Sequence, residues 1–293
     1  RNINANREGL HRHCARAAFY RAVHHEETHI DATIKVMPSP LKVQTLKKNK
    51  ALLSTFNNHP NLIKIFDAGY DENDAYIIVE KITGPSLAEI IEANKMGIPC
   101  ELALYYSLDI LTAIKSLYDN GFLYRDLKPQ NITINQGSHA VLNDFGFCTP
   151  IQEAWQKVEK TFFGSPMYMA PERIHGDGED FRADLYSLGM TLYHCIKGET
   201  YYTENELNNL FQRKKSPIRL RTADKIQTTN KLEKPPEELA YFIDKLNSVD
   251  RNDRYCSYDE LFEDLHGLLH MMQEKETSDP IVLIRRKEYL KQY

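Results

Sequence analysis

Glycine is missing from most of the first quarter of this sequence. The chain has 293 residues and 13 glycines, and none of these lies between Gly9 and Gly69. Because glycine lets backbone amides approach a phosphate closely, a glycine-rich phosphate loop is excluded from this stretch. The pattern G-x-x-x-x-G-K-[ST] is absent from the whole sequence, which argues against a P-loop ATPase.

Cysteine, excess charge and long apolar runs are also scarce. The five cysteines, at positions 14, 100, 148, 195 and 256, show no paired metal-ligand spacing, so we predict a reduced, cytoplasmic setting. The formal net charge is −4, and the concentrated basic surface that nucleic-acid binding needs is not expected. No apolar run approaches the length of a membrane span, and no signal peptide is visible.

What is present divides into a strand-rich part and a helix-rich part. We predict strands over residues 28–37, 62–70 and 75–82, with one helix over residues 41–56. From Leu87 onward helices dominate, so the composition shift near residues 82–85 predicts a hinge. The expected units are therefore an N-lobe (residues 1–82), a C-lobe (83–273) and a C-terminal tail (274–293).

Several helices of the second part have clear signals. One has a leucine-rich face and stops at Asn120-Gly121, and another, over residues 182–198, is apolar enough to be buried and ends at Gly198. "PPEELAYFIDKL" begins with proline, as helices often do, and Ser257 with Glu260 forms a capping-box pattern. The last twenty residues are charged around "PIVLI" and are expected either to pack as a tail or to fray.

The stretch "YRDLKPQNITINQGSHAVLNDFGF" (residues 124–147) carries the chemistry. Asp144 and Asn131 are hard-oxygen ligands suited to a magnesium ion that keeps phosphate oxygens. Asp126 is placed to accept a proton from an attacking hydroxyl, and Lys128 to neutralise a transferring phosphoryl group. Gly146 permits a sharp turn after Asp144. The alternative is that both aspartates are simple turn residues, and the joint pattern disfavours it.

These motifs resemble those of a eukaryotic-type Ser/Thr protein kinase domain, of the branch also common in bacteria. "YRDLKPQN" resembles the catalytic loop, "DFG" the magnesium motif, "GSPMYMAPE" (164–172) the end of the activation segment and "DLYSLG" (184–189) the central-helix motif. The resemblance extends over residues 15–272. It implies an α+β, bilobal fold with a small antiparallel sheet and one helix in the N-lobe, and a larger, mostly helical C-lobe.

The resemblance also implies a set of nucleotide-binding and catalytic residues. ATP with Mg²⁺, or Mn²⁺ in its place, is the expected cofactor, with Asp126 and Lys128 catalytic and with Asn131 and Asp144 on the metal. The residues expected around the nucleotide are Lys35, Phe19, the gatekeeper Val79, the hinge from Glu80 to Ile82, and Thr133.

Structural and regulatory roles follow from the same resemblance. Glu172 is expected to pair with Arg254, and Asp184 to have a structural role. Thr161 stands where relatives are phosphorylated, and Arg125 is the expected receptor of that phosphate. Tyr124 replaces the family's usual histidine, which stacks under the Phe of "DFG", here Phe145.

Two departures from the family concern the N-lobe. The phosphate loop corresponds to "RHCARA" (12–17), where Arg12 and Arg16 are expected either to contact phosphate, to block the pocket or to be solvated. The helix position that normally holds a glutamate is Asn49 or Lys50, and no acidic residue occurs from position 32 to 66. Asp144, or Glu26 and Glu27, are the hypothetical replacement partners of Lys35.

Two functions therefore remain. The first is a kinase that transfers the γ-phosphate of Mg-ATP to Ser or Thr of a protein substrate; the second is a pseudokinase that acts as a scaffold or allosteric partner of another protein. A small-molecule kinase is disfavoured because "APE" and Arg254 resemble a peptide-docking face. No nucleic-acid partner and no membrane span are expected, and the sequence leaves the oligomeric state open.

Overall fold

The computed structural model describes residues 18–25, 30–38, 59–70, 74–156, 165–203, 205–207 and 235–292. Several predictions fall outside these ranges: the helix over residues 41–56, the stretch 12–17 that stands for the phosphate loop, Glu26 and Glu27, and Thr161. The side chains of Phe19 and Lys35 are likewise outside the description.

The first part of the chain forms a four-stranded antiparallel sheet. Its strands are β1 (Ala18–His25), β2 (Ile30–Pro38), β3 (Ile65–Tyr70) and β4 (Asp74–Glu80), in the spatial order β1-β2-β4-β3. This is the small antiparallel sheet that the resemblance implies. Pro38 is the last residue of β2, opposite Asp74, so the strand extends one residue beyond its predicted end.

The third strand begins three residues later than predicted because the residues before it pair with the other lobe. Leu62 forms a parallel bridge with Leu142. The amide of Ile63 donates to the carbonyl of Leu142 at 3.0 Å, and the amide of Leu142 donates to the carbonyl of Asn61 at 2.8 Å. This short segment therefore belongs to the floor between the lobes rather than to β3.

The link between the lobes passes through Gly84. Gly84 has φ +156°, and a Cβ there would lie 1.8 Å from the carbonyl oxygen of Ile134, so only glycine fits. A capping box of Ser86 and Glu89 then begins helix α1 (Leu87–Ala93). The predicted hinge thus contains a close backbone approach followed at once by a helix start.

The large lobe is built around two long helices, α2 (Cys100–Asp119) and α5 (Phe181–Lys197). The predicted leucine-rich face of α2 is buried, and its end at Asn120 and Gly121, with φ +85° at Gly121, is confirmed. Helix α5 is almost entirely buried and ends, as predicted, at Gly198 with φ +76°. Between them lie the elements that carry the candidate site: β5 (Phe122–Leu123), β6 (Ile132–Ile134), β7 (Ala140–Leu142), β8 (Thr149–Pro150), α3 (Ile151–Ala154) and α4 (Pro171–His175).

Three helices complete the large lobe: α6 (Glu237–Leu246), α7 (Tyr258–Gln273) and α8 (Pro280–Gln292). Helix α6 begins one residue after its second proline. The capping box predicted at the start of α7 is only half formed. Ser257 accepts from the Glu260 amide at 3.1 Å, but the Glu260 carboxylate accepts from the amide of Cys256 at 2.9 Å and from Lys245 at 2.7 Å.

The C-terminal tail is a helix that packs on the lobe rather than fraying. Val282 and Arg285 of α8 are buried, and Arg285 donates to Asp109 on α2 at 2.8 Å. Among the helices of the described residues, none combines the length and the apolar character needed to cross a membrane.

Candidate active site

The loop after β5 is bound by Asp184 on α5 through hydrogen bonds from its backbone amides. The carboxylate of Asp184 accepts the amides of Tyr124 and Arg125, each at 2.8 Å, and Arg125 has the left-handed backbone angle φ +70°. Burial raises the pKa of Asp184 to about 6, while the two amide hydrogen bonds act in the opposite direction. The central helix therefore fixes the two residues that precede Asp126.

Asp126, Lys128 and Asn131 converge in this loop. The Asp126 carboxylate is buried, and its Oδ2 lies 2.9 Å from Lys128 Nζ and 2.7 Å from Asn131 Nδ2. Asn131 also donates to the carbonyl of Asp126 at 2.8 Å, because a 3-10 turn over Pro129–Asn131 folds it back toward the loop. One carboxylate is thus held between an ammonium and an amide.

Lys128 connects the loop to the segment "GSPMYMAPE". Its Nζ donates to Ser165 Oγ at 2.8 Å. Its side chain is 16% exposed, so the charge is shielded from water on most sides and interacts more strongly than a surface lysine would. The ammonium therefore lies between Asp126 and the part of the chain that resembles a substrate-docking segment.

Asp144 follows β7 in a left-handed conformation, with φ +55°. The sequence places the turn-forming freedom on Gly146, but that glycine does not take a positive φ within the described residues. Gly146 instead donates its amide to Asp144 Oδ1 at 3.2 Å and is the middle residue of a short 3-10 turn over Phe145–Phe147. Asp144 itself tolerates the left-handed region because its short polar side chain bonds locally.

A cavity of about 300 Å³ lies between the sheet and the β6–β7 hairpin. Its apolar wall comes from strands of the small lobe, including Ile65 and Ile77. Six residues predicted to contact nucleotide or metal line it: Val79, Glu80, Ile82, Asn131, Thr133 and Asp144. A cavity with an apolar wall and several polar lining residues is the kind of site that holds a small ligand such as a nucleotide.

Phe19 and Lys35 are placed only by their backbone register. They oppose one another across β1 and β2, and Lys35 opposes Ile77 on β4. Ile77 lines the cavity, so Lys35 in β2 stands at the register position next to it. Its charge partner remains a hypothesis.

Tyr124 contacts Phe145 edge-on rather than stacking beneath it. The ring centroids are 5.9 Å apart with an interplanar angle of 81°, a favourable aromatic geometry. The Tyr124 hydroxyl donates to the carbonyl of Asn143, the residue before Asp144. Burial raises the pKa of Tyr124 well above its ordinary value, so this tyrosine is a neutral support for the metal motif.

Glu172 and Arg254 are brought together from α4 and from the loop before α7. Arg254 donates to the two carboxylate oxygens at 2.7 and 2.9 Å, and also to the carbonyls of Ser248 and Arg182. Both side chains are almost fully buried. Removing one partner would leave an uncompensated buried charge, so the pair fixes the end of the "APE" segment.

Arg125 is bonded to Glu179, a residue that the sequence patterns do not single out. Its Nε donates to Glu179 Oε2 at 3.2 Å and its NH1 to Thr149 Oγ1 at 3.1 Å. Two other unpredicted residues contact the site. Ser165 bonds Lys128, and Asn143 donates to Thr133 Oγ1 at 2.5 Å. Both lie inside motifs that were recognised, whereas Glu179 lies in a loop without a local signal.

Comparison with known proteins gives consistent results. The family model described as "Protein kinase domain" matches residues 16–265. "Probable serine/threonine-protein kinase CPE1738" of Clostridium perfringens is 28% identical over 249 residues, covering 84% of this chain and 33% of that protein. Serine/threonine-protein kinase PknB of Mycobacterium tuberculosis is 31% identical over 189 residues, covering 60% of this chain and 29% of PknB.

A fungal protein matches to a similar extent. Serine/threonine-protein kinase CST20 of Candida albicans is 30% identical over 247 residues, covering 81% of this chain and 18% of that protein. The chain thus spans a third or less of the length of these relatives. The model match contains the whole loop around Asp126 and most of the chain, and this chain therefore belongs to the protein kinase domain family.

Proposed function

We propose that this chain is a protein Ser/Thr kinase domain that binds Mg-ATP and transfers the γ-phosphate to a Ser or Thr hydroxyl of a protein substrate. The observation that carries the proposal is the convergence of Lys128 and Asn131 on the buried carboxylate of Asp126, beside a cavity lined by Asn131 and Asp144. The names of the relatives described above support the same activity.

In this proposal Asp126 orients the substrate hydroxyl and accepts its proton. The hydroxyl oxygen forms a bond to the γ-phosphorus, the bond from that phosphorus to the β–γ bridging oxygen breaks, and ADP leaves with the electron pair. Lys128 offsets the negative charge on the transferring oxygens, for which its position 2.9 Å from Asp126 is suitable. Its bond to Ser165 places it beside "GSPMYMAPE", and the resemblance of Lys128 and this segment to the family's motifs favours Ser or Thr over Tyr as the acceptor.

The residues present fit a metal ion that is held largely by phosphate. Within the described residues, no group of three His, Cys, Asp or Glu side chains could hold a metal alone. Asn131 uses Nδ2 to bond Asp126, which directs its Oδ1 to the other side of the amide. Asn131 and Asp144 would supply the two protein oxygens for Mg²⁺, or Mn²⁺ in its place, and the ion would neutralise phosphate charge.

Val79, Glu80, Ile82 and Thr133 would surround the base, and Lys35 would bind the phosphates. The proposed lobes are residues 1–82 and 83–273, with the tail from 274. The described cysteines form no disulfide with one another, and the setting proposed for the domain is cytoplasmic. We expect no nucleic-acid partner.

A pseudokinase is the alternative function, and two features of the sequence favour it. No glycine lies between Gly9 and Gly69, and no acidic residue occurs from position 32 to 66. A chain that had lost ATP binding through these changes would act as a scaffold or allosteric partner.

Phosphotransfer from radiolabelled ATP onto the chain itself and onto a generic protein acceptor tests the proposal. We expect transfer by the wild type and a loss of about 100-fold or more in Asp126→Asn, since general-base catalysis typically contributes that much. Asp119→Asn is the matched control, because Asp119 is an exposed residue whose salt bridge among the described residues is with Lys115 on its own helix, and it should retain full activity.

Binding must be measured beside transfer. Nucleotide binding without transfer by the wild type would contradict the kinase proposal and favour the pseudokinase. Equal transfer by wild type and Asp126→Asn would show that Asp126 does not have the proposed role.

A further inference from the structure

Glu179 is a buried carboxylate that lies between two arginines. Its side chain is 4% exposed, and Arg125 contacts both of its oxygens. Arg173 Nε lies 3.9 Å from Oε1 of the same carboxylate. Burial and the neighbouring Arg125 lower the pKa of Arg173, whereas Glu179 raises it, so this acid compensates charge that the fold has taken out of water.

The backbone around Glu179 is fixed independently of its side chain. Its amide donates to the carbonyl of Ala154 in α3 at 2.8 Å. The preceding Gly178 has no room for a Cβ, which would lie 2.1 Å from the carbonyl oxygen of Trp155, and its own carbonyl accepts from Arg251 at 2.6 Å. The position of the carboxylate next to Arg125 is therefore set by the backbone contacts of this loop.

Arg125 connects the segments on either side of the catalytic loop. Its amide is bound by Asp184, its carbonyl accepts from Arg173, and its guanidinium also donates to Thr149 in β8. It directly precedes Asp126. Hydrogen bonds of Arg125 thus link the residue next to the proposed base with the strand that follows "DFG" and with the helix that begins within "APE".

We propose that Glu179 is a positioning residue that supplies to Arg125 the negative charge which the family resemblance assigns to a phosphate on Thr161. The catalytic loop is then ordered without modification of Thr161. A phosphate near Arg125 would find its guanidinium already bonded to Glu179 and Thr149. It would also be repelled by the negative charge of the Glu179 carboxylate. This inference rests on the proposed kinase function.

A merely structural ion pair and a positioning residue differ in their kinetics. Loss of a structural pair destabilises the fold but does not move kcat of the folded fraction. A positioning residue changes kcat and leaves the KM for ATP nearly unchanged, because no atom of Glu179 lines the nucleotide cavity. Misplacement by about 1 Å can cost about 100-fold in rate.

The test compares Glu179→Gln, which keeps the shape and removes the charge, with Thr161→Val, which removes the acceptor hydroxyl. We expect Glu179→Gln to lower kcat about tenfold or more, with the KM for ATP within about threefold of wild type. Thr161→Val and phosphatase-treated wild type should keep kcat within about twofold. Hydrogen exchange of residues 122–131 and 147–156 should become faster only in Glu179→Gln.

The outcomes separate this inference from the kinase proposal. If the wild type transfers no phosphate, the kinase proposal fails and hydrogen exchange still tests the role of Glu179. Wild-type kcat and exchange in Glu179→Gln would overturn the inference, as would loss of kcat in Thr161→Val or after phosphatase treatment. If Glu179→Gln does not fold, the Thr161→Val and phosphatase measurements decide alone.

Discussion

Asp184 shows how burial at one residue links the catalytic loop to pH. Its carboxylate is 2% exposed and accepts the amides of Tyr124 and Arg125. Desolvation raises its pKa from 3.8 to about 6. The folded chain therefore binds a proton at Asp184 over a pH range in which the unfolded chain has already released it.

We expect protonation of Asp184 to contribute to the free energy of unfolding, and this contribution is fully present below pH 4. It decreases as the pH rises from 4 to 6, and above that range the free energy of unfolding no longer changes through Asp184. A pKa difference of about two corresponds to about 3 kcal/mol. Asp184→Asn removes this term, so the stability of wild type relative to Asp184→Asn should fall by about 2 kcal/mol between pH 4.5 and 7, because about 1 kcal/mol has already been lost at pH 4.5. Urea denaturation at both pH values measures it, and a difference that stays constant or grows would contradict it.

Which site residues the sequence could predict depends on how local their signal is. Asp126, Lys128, Asn131 and Asp144 lie within one stretch of 24 letters and are recognisable together. The importance of Glu179 arises from Arg125, 54 positions away, and that of Ser165 from Lys128, 37 positions away. No periodicity or motif marks an acid in "HGDGED" as buried, so only the folded chain brings these partners together.

At the level of elements, hydropathy could not predict whether α8 packs on the large lobe. Its attachment relies on arginines bonded to acids of α2: Arg285 donates to Asp109 at 2.8 Å, and Arg286 to Glu101 at 2.6 and 2.7 Å. Apolar periodicity identifies helices such as α2 and α5, whose faces are leucine-rich, but it does not detect a face made of charged side chains. The sequence therefore left both packing and fraying open for the tail.

Arg285→Ala should loosen α8, because it leaves the Asp109 carboxylate buried without its arginine. Losing one partner of such a pair costs about 3–5 kcal/mol. The loss cannot exceed the free energy of local unfolding of α8, because the helix then detaches instead. Hydrogen exchange of the α8 amides is the measurement, and we expect it to become faster while α2 keeps its protection. Lys287→Ala is the matched control, since Lys287 is exposed on the same helix. Equal protection in both variants would show that α8 is held by its apolar contacts instead.

At the scale of the whole molecule, the bilobal fold was predictable from the order of the motifs along the sequence. Whether the cleft binds nucleotide was not predictable. The motifs lie in the large lobe, where each occupies a defined element. The departures lie in residues 12–17 and in the region 41–56, outside the described residues. The cavity between the lobes is lined by both, so binding of nucleotide must be measured on the intact chain.

Mg-ATP should raise the melting temperature of the wild type. A ligand at 100 times its Kd adds about 2.7 kcal/mol, which is about 4 °C for a chain of this size. In Asp144→Ala the shift with Mg-ATP should fall to that seen with ATP and a chelator, because the metal has lost one of its two protein oxygens. Asp119→Ala should behave as wild type. A wild type that shows no shift with either form of ATP would mean that the cleft does not bind nucleotide.

The backbone pairing of Leu62 with Leu142 has a consequence for how the cleft opens. Within the described residues, the small lobe is joined to the large one by this bridge with its flanking hydrogen bonds, and the chain crosses between the lobes near Gly84, which lies close to Ile134. A rotation of the sheet about the line from Leu62 to Gly84 would therefore open the cleft while the bridge and the crossing stay in place.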